Sequence, residues 1–445
     1  MAISGKKETT VLFLGDIILL YFSLWVTLFF RYSTLDLSFE AAWNLHFLPF
    51  TIIVAVWILV FFISGLYEKH TLILKSRLPS TVFNAQVINS FIAIIFFYFI
   101  PYFGIAPKTN LFIYLFISFA LILSWRIYGD RFLHPSVKQK GIIIGSGEEM
   151  KELLEEVNNN PRYGLEFISS IDLDKIADLD FQDEIVKRVY SEEVQIIAVD
   201  LKNEKVEPIL PHLYNLIFSK VKFIDMYKVY EDLFNRVPLS LVRYNWFLEN
   251  ISTESRITYD VLKRIMDIII AGVVGLISLI LYPFVALAIK MNDGGDIFFQ
   301  QERIGKNNKI IKIKKFRSMR SDSDGKYEIT KVGKWLRALR IDELPQIWNV
   351  FRGDISMIGP RPEIPALVKH YEEVIPYYDI RHLIKPGLSG WAQLYHTDPP
   401  KVVADAEKTR RKLSYDLYYI KNRSFMLDFK IALKTIKTLL SRSGT

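Results

Sequence analysis

Four apolar runs of transmembrane length dominate the first 128 residues of the chain. Each is close to the roughly 20 residues that a helix needs to cross the hydrocarbon core of a bilayer. Helices satisfy their own backbone polar groups in lipid, so such runs predict membrane helices. The runs are 11–30, 47–66, 86–105 and 111–128. We therefore expect a four-helix transmembrane region over residues 1–135. The first run lacks a small-residue cleavage site, so we interpret it as an anchor and not as a signal peptide.

The basic residues between the runs predict the orientation of these helices. Two loops and the N-terminus are basic, through Lys6, Lys7, Lys69, Lys75, Arg77, Arg126, Arg131, Lys138 and Lys140. The other two loops carry Asp36 and Glu40, or a single Lys108. Under the positive-inside rule, the N-terminus and the chain after Tyr128 lie on the cytoplasmic side. Asp16 lies inside the first run, and we interpret it as a carboxylate near the interface or paired in the bundle.

The composition narrows the chemistry that the chain can perform. Of its residues, 51% are hydrophobic and none is cysteine. Disulfides, thiolate catalysis and cysteine-ligated metals are therefore excluded. The formal charge of +8 suits nucleic acid, anionic lipid or phosphorylated substrates. The membrane segments favour the last two, so we expect no nucleic-acid partner.

The middle of the chain, residues 136–250, has the pattern of an α/β domain. A short buried strand with a glycine turn covers 141–147, a helix is predicted over 148–158, and a second buried strand over 194–199. Strands alternating with helices indicate a parallel, doubly wound, Rossmann-like sheet. Met150 stands where the dinucleotide fingerprint has its third glycine. The domain is therefore degenerate, and either nucleotide binding or a purely structural role is open.

A fifth apolar run, 268–289, is long enough to span a membrane, at about 33 Å as a straight helix. Pro283 lies inside it and predicts a bend or a break. Lys263 and Arg264 precede the run and Lys290 follows it, so the flanking charges set no direction. We expect a re-entrant helix over about 264–290, with a true fifth span as the alternative. Two basic amphipathic helices, 331–340 and 427–440, suit either the membrane surface or packing against a core.

The densest group of charged residues lies between 337 and 363. Asp342 is predicted as an N-cap, with Pro345 in the first turn of the following helix. Two adjacent carboxylates, Asp342 and Glu343, at a positive helix end suit a magnesium-bound diphosphate. Arg361 lies between two prolines, on a stiff loop suited to bidentate phosphate contact.

Further motifs follow in order from Ser255 to the C-terminus. They are Lys263-Arg-x-x-Asp267, Phe298-Phe-Gln-Gln-Glu-Arg-Ile-Gly305, Lys315-Phe-Arg-Ser-Met319, Asp342-Glu-Leu-Pro-Gln346, Gly359-Pro-Arg-Pro-Glu363, Lys385-Pro-Gly-Leu-Ser-Gly-Trp-Ala-Gln393 and Tyr415-Asp-Leu-Tyr-Tyr419. With these motifs the chain resembles the bacterial sugar transferases, in the large form of the monotopic polyprenyl-phosphate hexose-1-phosphate (phosphoglycosyl) transferases. One departure is Glu328, where relatives commonly carry arginine.

The resemblance implies an architecture and a place in the cell. It implies a mostly α catalytic domain over 251–445 after the membrane bundle and the Rossmann-like domain. The protein would lie in the bacterial inner membrane with its catalytic domain on the cytoplasmic face. Its partners would be a UDP-sugar, undecaprenyl phosphate and membrane lipid, and the extra spans offer surfaces for a homodimer.

The resemblance also implies a reaction. Asp342 would be the nucleophile that displaces UMP from the donor and carries the phosphosugar to the lipid phosphate. Glu343 would hold Mg²⁺ as metal ligand and catalytic partner. Candidate residues for binding phosphate or substrate are Arg303, Arg317, Arg337, Arg361, Lys385 and Asp416. A membrane-interface clamp would be formed by Lys263, Arg264, Asp267 and Pro283.

Two other functions are alternatives for a chain with this organisation. A membrane-anchored nucleotide-sugar dehydratase or epimerase would need an intact dinucleotide fingerprint and a Tyr-x-x-x-Lys pair. The one candidate for that pair, Tyr327 and Lys331, lies in the transferase-like region. A scaffold with a decayed site is opposed by the intact Asp342, Glu343 and Arg361. The sugar, the polysaccharide pathway and the oligomeric state are not readable from the sequence.

Overall fold

The computed structural model describes residues 6–32, 39–67, 78–100, 108–128, 138–160, 163–178, 185–219, 221–251, 257–321, 327–395 and 405–440. The chain divides into two compact units, Met1–Leu233 and Phe234–Thr445. Five of the charged loop residues, Asp36, Lys69, Lys75, Arg77 and Arg131, lie outside the described residues. The orientation in the membrane and the three-domain scheme therefore stay predictions.

Four apolar helices open the first unit. They are α1 (Lys6–Tyr32), α2 (Phe39–Ile63), α3 (Leu78–Phe99) and α4 (Lys108–Tyr128). Each contains a stretch long and apolar enough to cross a membrane, which confirms the four predicted helices. Helix α3 begins at Leu78 and not at residue 86, and Val82 and Ala85 in its first turns are buried in the bundle. Further along the helix, the Gln86 amide donates a hydrogen bond to the Ser118 hydroxyl at 3.1 Å.

Asp16 is paired in the bundle, as the sequence predicted. Its carboxylate forms an ion pair with Arg126, and both side chains are fully buried. The Tyr67 hydroxyl donates to the same carboxylate at 2.8 Å, and Arg126 also donates to the Leu66 carbonyl at 2.8 Å. A charge in hydrocarbon is stable only when it is paired in this way. The pair therefore connects α1, α4 and the turn after α2.

Removal of the carboxylate should destabilise this bundle. Asp16→Asn leaves the Arg126 guanidinium buried without a counter-charge, which costs about 3 kcal/mol. We expect a lower midpoint of thermal unfolding in detergent than for the wild type. Leu14→Ala, at an exposed position of the same helix, is the matched control. A midpoint for Asp16→Asn equal to that of the control would contradict the structural role of the pair.

The rest of the first unit is built on a parallel sheet. Its elements are β1 (Gln139–Gly145), α5 (Gly147–Asn159), β2 (Leu165–Asp172), α6 (Lys187–Ser191), β3 (Ile196–Val199), α7 (Leu210–Asn215), β4 (Lys222–Asp225) and α8 (Met226–Phe234). Short 3₁₀ helices cover Leu173–Asp178, Glu204–Ile209 and Leu216–Ser219. The strand order is β2-β1-β3-β4 and all neighbours are parallel. The predicted strands and helix over 141–158 and 194–199 are confirmed, because these apolar residues form the buried centre of the sheet.

The second unit is helical around three small pairs of strands. Its elements are α9 (Tyr244–Asn250), α10 (Ile257–Asp293), β5 (Phe298–Ile304), β6 (Ile310–Phe316), β7 (Met319–Ser321), β8 (Tyr327–Ile329), α11 (Lys331–Ala338), α12 (Ile347–Arg352), β9 (Ser356–Ile358), α13 (Pro365–Val374), β10 (Gly387–Ser389), α14 (Trp391–Tyr395), α15 (Ala406–Asn422) and α16 (Phe425–Leu440). Four 3₁₀ helices cover Leu239–Leu241, Lys306–Asn308, Ile341–Gln346 and Tyr378–Leu383. Strands β5 and β6, and β7 and β8, pair antiparallel, whereas β9 and β10 pair parallel. Helices α11 and α16 confirm the two predicted amphipathic helices.

Helix α10 has 37 residues and continues through Pro283. Pro283 therefore does not break the helix, although a proline removes one backbone hydrogen bond, and the predicted bend stays a prediction. Val285 and Ile289, two and six residues beyond the proline, pack against Phe316 and Leu336, which holds the second half of the helix in place. The opposite face of α10 is apolar and exposed along its length.

Candidate active site

The two adjacent carboxylates lie at the start of a 3₁₀ helix. Helix α11 is capped by Thr330, whose hydroxyl accepts from the Gly333 amide at 2.9 Å, and it ends at Ala338. Arg340 then adopts a left-handed conformation with φ of 51°, and the 3₁₀ helix Ile341–Gln346 begins. The prediction that Asp342 is the N-cap is wrong, because the turn at Arg340 starts the helix before it. The Asp342 and Glu343 side chains are therefore available for other contacts.

Three cations lie against Glu343, two from other segments and one from the turn that starts its own 3₁₀ helix. Its carboxylate lies 3.0 Å from the Arg361 guanidinium, 3.5 Å from the Lys315 ammonium and 3.7 Å from the Arg340 guanidinium. Burial alone would raise the pKa of Glu343, but Arg361, Lys315 and Arg340 together lower it to about 2. Glu343 is therefore ionised at every physiological pH. We call Glu343 and its three cations the charge cluster.

Asp342 has a different environment although it is the next residue. Its side chain is buried. Burial and the neighbouring Glu343 charge raise the pKa of Asp342 to about 6, against the opposite effects of Lys315, Arg337 and Arg361. Adjacent carboxyl groups whose pKa values are driven apart are typical of sites where they have different roles. Asp342 is thus the more basic of the two carboxylates.

Arg361 is carried on a loop that packs tightly against the segment around β10. The Gly387 amide donates to the Pro360 carbonyl at 2.9 Å, and the Gly359 amide donates to the Ser389 carbonyl at 2.8 Å. A Cβ atom on Gly387 would lie 2.1 Å from the Gly359 nitrogen, so only glycine permits this approach. The motif that begins at Lys385 therefore supports the arginine loop through its backbone.

The Arg361 loop is also held by two other arginines. Arg303 donates to the Pro362 carbonyl at 3.1 Å and lies 3.9 Å from the Glu363 carboxylate. Arg381 donates to the Arg361 carbonyl at 3.0 Å and forms a 2.9 Å ion pair with Asp416. Both members of that pair are buried. Asp416, predicted as a substrate contact, thus lies behind the loop, while Arg303 lies beside it.

The other two predicted arginines differ in their surroundings. Arg317 forms a 2.6 Å ion pair with Asp293 at the end of α10 and donates to the Met319 carbonyl. Arg337 affects the pKa of Asp342, and within the described part of the chain its guanidinium has no hydrogen-bond or ion-pair partner. Of the two, Arg337 is the one whose donors are available to a phosphate near Asp342.

The predicted clamp residues Lys263 and Arg264 attach the first part of α10 to other helices of the second unit. Lys263 forms a 2.7 Å ion pair with Asp428 of α16. Arg264 donates to the Val350 and Phe351 carbonyls at the end of α12, at 2.6 and 2.7 Å, and the Val350 carbonyl also accepts from the Gly353 amide. These contacts connect α10 with both α12 and α16.

Asp267 completes this attachment, and Lys385 lies near it. The Asp267 carboxylate accepts from the Ser356 hydroxyl at 3.1 Å and from the Met357 amide at 3.0 Å. The Lys385 ammonium lies close to Arg264 and not in the charge cluster. The structure therefore brings Lys385 together with the clamp and separates its side chain from the other phosphate-binding candidates.

Two residues of this site were not singled out as binding residues from the sequence: Lys315 and Arg381. For Lys315 a signal existed, because residues 311, 313 and 315 alternate on the less exposed face of β6, where a lysine is unusual. For Arg381 there was none, because its contacts with the Arg361 loop and with Asp416 join positions 20 and 35 residues apart along the chain. The left-handed turn at Arg340 was not predicted by a local pattern either.

Asp342 and Glu343 are the side chains that could hold the expected Mg²⁺. Among the described residues no three His, Cys, Asp or Glu side chains come together in a way that could hold a metal. Mg²⁺ usually takes one or two protein carboxylates and completes its shell with water and substrate phosphates. Asp342 and Glu343 fit that donor set in kind, provided that a diphosphate supplies the other oxygens.

Comparisons with known proteins match the second unit. The family model for bacterial sugar transferases matches residues 258–442. The UDP-N-acetylgalactosamine-undecaprenyl-phosphate N-acetylgalactosaminephosphotransferase of Aeromonas hydrophila is 45% identical over 195 residues, which cover 42% of this chain and 45% of that protein. The exopolysaccharide production protein PSS of Rhizobium leguminosarum bv. phaseoli is 38% identical over 199 residues, 41% of this chain and 96% of that protein. The chain belongs to the bacterial sugar transferase family.

A further relative has a similar extent of match. The UDP-glucose:undecaprenyl-phosphate glucose-1-phosphate transferase of Escherichia coli K12 is 37% identical over 188 residues, 39% of each chain. The matched region thus spans less than half the length of the first relatives. The resemblance stated from the motifs is confirmed for this region, which contains the charge cluster and Asp342.

The position of Asp416 leads to a test of its role. Asp416→Asn should lower the midpoint of thermal unfolding, because a buried Arg381 without its counter-charge costs about 3 kcal/mol. Asp379→Asn, at an exposed position in the same 3₁₀ helix as Arg381, is the control and should change the midpoint little. Unchanged stability of Asp416→Asn together with weaker substrate binding would instead make Asp416 a substrate contact.

Proposed function

We propose that the protein transfers a sugar-1-phosphate from a UDP-sugar to undecaprenyl phosphate and releases UMP, which begins the assembly of a surface polysaccharide or glycoconjugate. The observation that carries this proposal is the pair of Asp342 and Glu343 beside Arg361. One carboxylate is buried and basic, and the other is held ionised among cations. The relatives, UDP-sugar:undecaprenyl-phosphate transferases among them, support the same substrates.

The reaction consists of two displacements at one phosphorus. An Asp342 oxygen attacks the phosphorus that bears the sugar, the bond from this phosphorus to the bridging oxygen breaks, and UMP leaves with that oxygen. The phosphosugar is now an acyl phosphate on Asp342. An oxygen of the lipid phosphate then attacks the same phosphorus and releases the Asp342 carboxylate. A phosphoanhydride is consumed and another is formed, so the transfer needs no separate energy source.

The cations around the carboxylates are suited to the charge that develops. Arg361, Lys315 and Arg340 already lie against Glu343. Arg337 adds free donors near Asp342, and Arg303 lies beside the Arg361 loop. Fixed cations of this kind stabilise the phosphoryl oxygens and the leaving oxygen without reorganisation. Glu343 would hold Mg²⁺, which supplies further charge neutralisation on the diphosphate.

Helix α10 fits a membrane element that enters and leaves by the same face. Its first part is tied to α16 through Lys263 and Asp428, and its end to the strand region through Asp293 and Arg317. Both ends therefore contact one compact unit, which a straight span across a bilayer would not allow. The exposed apolar face would meet lipid, and the lipid phosphate and the soluble donor would meet at the cytoplasmic face.

The parallel sheet fits a degenerate Rossmann-like domain. Its first strand ends in the turn Gly145-Ser-Gly147, and α5 follows at once. Met150, in place of the third glycine, is buried against this turn, and Met226 closes the space next to Gly145. These side chains favour a structural role over dinucleotide binding. A homodimer stays a prediction.

The nucleophile is tested by following both half-reactions. With Mg²⁺ and a panel of UDP-sugars, purified wild-type protein should release UMP with one donor and become labelled by its phosphosugar when the lipid is omitted. Hydroxylamine should remove the label, because it cleaves acyl phosphates. In Asp342→Asn, labelling should be absent and UMP release should fall by about a thousandfold or more. Asp379→Asn is the control of equal charge change. Steady transfer in Asp342→Asn would contradict the covalent step, and no release across the panel would favour a scaffold.

Metal dependence is tested separately. Removal of Mg²⁺ by a chelator should reduce UMP release by at least about a hundredfold, because the diphosphate then keeps its full charge. Addition of Mg²⁺ in excess should restore the rate, and Glu343→Gln should need a higher Mg²⁺ concentration for half of its own maximal rate. Full activity in the chelator, or an unchanged Mg²⁺ requirement in Glu343→Gln, would remove the metal or this ligand from the proposal.

A further inference from the structure

A second group of cations lies at the other end of α12, beside the membrane helix. A Cβ atom on Gly353 would lie 3.2 Å from the Lys385 ammonium and 3.5 Å from the Arg264 guanidinium carbon. The two cations therefore lie next to each other, in contact with the place that a side chain at this position would take. Gly353 has φ of 87°, which favours glycine, so the two cations can approach the backbone here. We call Lys385, Arg264 and the nearby Lys306 the interface cations.

The interface cations have an excess of positive charge that the described residues do not neutralise. Burial, Arg264 and Lys306 lower the pKa of Lys385, while Asp267 and Asp354 oppose them. Both carboxylates have partners of their own, since Asp267 accepts from Ser356 and Met357 and Asp354 accepts from the Asn349 amide at 3.0 Å.

The two lysines, in contrast, lack partners. Within the described ranges, neither the Lys385 nor the Lys306 ammonium has a hydrogen-bond or ion-pair partner. A half-buried lysine without a partner, next to a second cation, is a favourable place for an anion.

An apolar groove adjoins these cations on α10. It has a volume of about 380 Å³ and is lined by Ile257, Asp260, Val261, Arg264 and Ile265. The three apolar residues are each about half exposed or more. A cationic group at the edge of an apolar face is suited to a molecule with an anionic head and an apolar chain.

We propose that the interface cations bind the phosphate of an anionic membrane phospholipid, with an acyl chain lying in the groove of α10. The bound lipid would fix the depth of α10 at the membrane surface. This inference goes beyond the proposed transfer reaction and does not depend on it.

The length of α12 separates this site from the site of transfer. Asp342 and Glu343 precede α12, and Gly353 follows it. The six residues of α12 extend about 9 Å. A phosphate that attacks the phosphosugar must come within about 3.5 Å of it. An acceptor phosphate held above Gly353 would be too distant, so a phospholipid that does not react is the better occupant.

The test is lipid retention by the full-length protein. Wild-type protein, reconstituted in phosphatidylglycerol and phosphatidylcholine and then stripped in mild detergent, should retain phosphatidylglycerol preferentially by native mass spectrometry. Lys385→Gln and Lys306→Gln should each lower this preference about fivefold, as expected for one lysine near an anionic surface. Lys385→Arg should keep it, and Lys369→Gln, at an exposed lysine of α13, is the control. Loss in the control as well, or no loss in Lys385→Gln, would overturn the site.

Two competitors distinguish the possible sources of the phosphate. Inorganic phosphate at millimolar concentration should leave phosphatidylglycerol bound, because it cannot use the groove. A polyprenyl phosphate should displace it no better than phosphatidylglycerol of equal concentration. Displacement by inorganic phosphate would make this a free-phosphate site, and preferential displacement by polyprenyl phosphate would make it an acceptor site. Either result would overturn the proposal. Thermal unfolding midpoints of all variants separate a lost site from a lost fold.

Discussion

The second unit is organised around the carboxylate of Glu343. Two of its cations come from β6 and from the loop after β9, and the third, Arg340, starts the same 3₁₀ helix, so one side chain joins two other segments to this helix. A buried ion is stable only if its partners are in place. Folding must therefore bring Arg361 and Lys315 to Glu343 before Asp342 has its environment. The same contacts that hold the segments together lower the pKa of Glu343 and, through its retained charge, help to raise that of Asp342.

Around Glu343, a buried ion pair and close backbone contacts hold the Arg361 loop in place. Arg381 reaches the backbone of the Arg361 loop and is itself held by Asp416. Close backbone contact between Gly359 and Gly387 holds the other side of that loop. Arginines on the two sides make different contacts: Arg361 in the loop pairs with Glu343, whereas Arg303 and Arg381 donate to carbonyl groups of the loop. Residue type alone does not distinguish these contacts, because all three residues are arginines.

The sequence predicted the elements better than the contacts. Apolar runs predicted the four helices of the bundle and the long helix α10, because hydrophobicity over 20 residues is a property of one segment. It also predicted that Asp16 would be paired, since a charge among apolar residues has few other options. The start of α3 was placed too late, because residues 78–85 mix polar and apolar side chains and only contacts with the other helices bury Val82 and Ala85.

The wrong predictions in the second unit have a similar origin. Asp342 has the residue type and the flanking proline of an N-cap, but the left-handed backbone of Arg340 shifts the helix start. Pro283 does not break α10, because packing on β6 and α11 supports the helix beyond it. Lys385 was a candidate for phosphate binding, yet its side chain lies close to Arg264 and not in the charge cluster. Each outcome depends on a contact between segments distant in sequence, which no local pattern contains.

The ion pair between Lys263 and Asp428 has a consequence for the order of synthesis. The two residues are 165 positions apart, and at about 5–20 residues per second the second follows the first by on the order of ten seconds. Helix α10 thus leaves the ribosome and meets the membrane before α12 and α16, its anchors, have been made. During that interval only its own residues and their near neighbours can decide how it enters the lipid. The ion pair between Lys263 and Asp428 therefore forms late, and it holds α10 in an orientation that the helix already has.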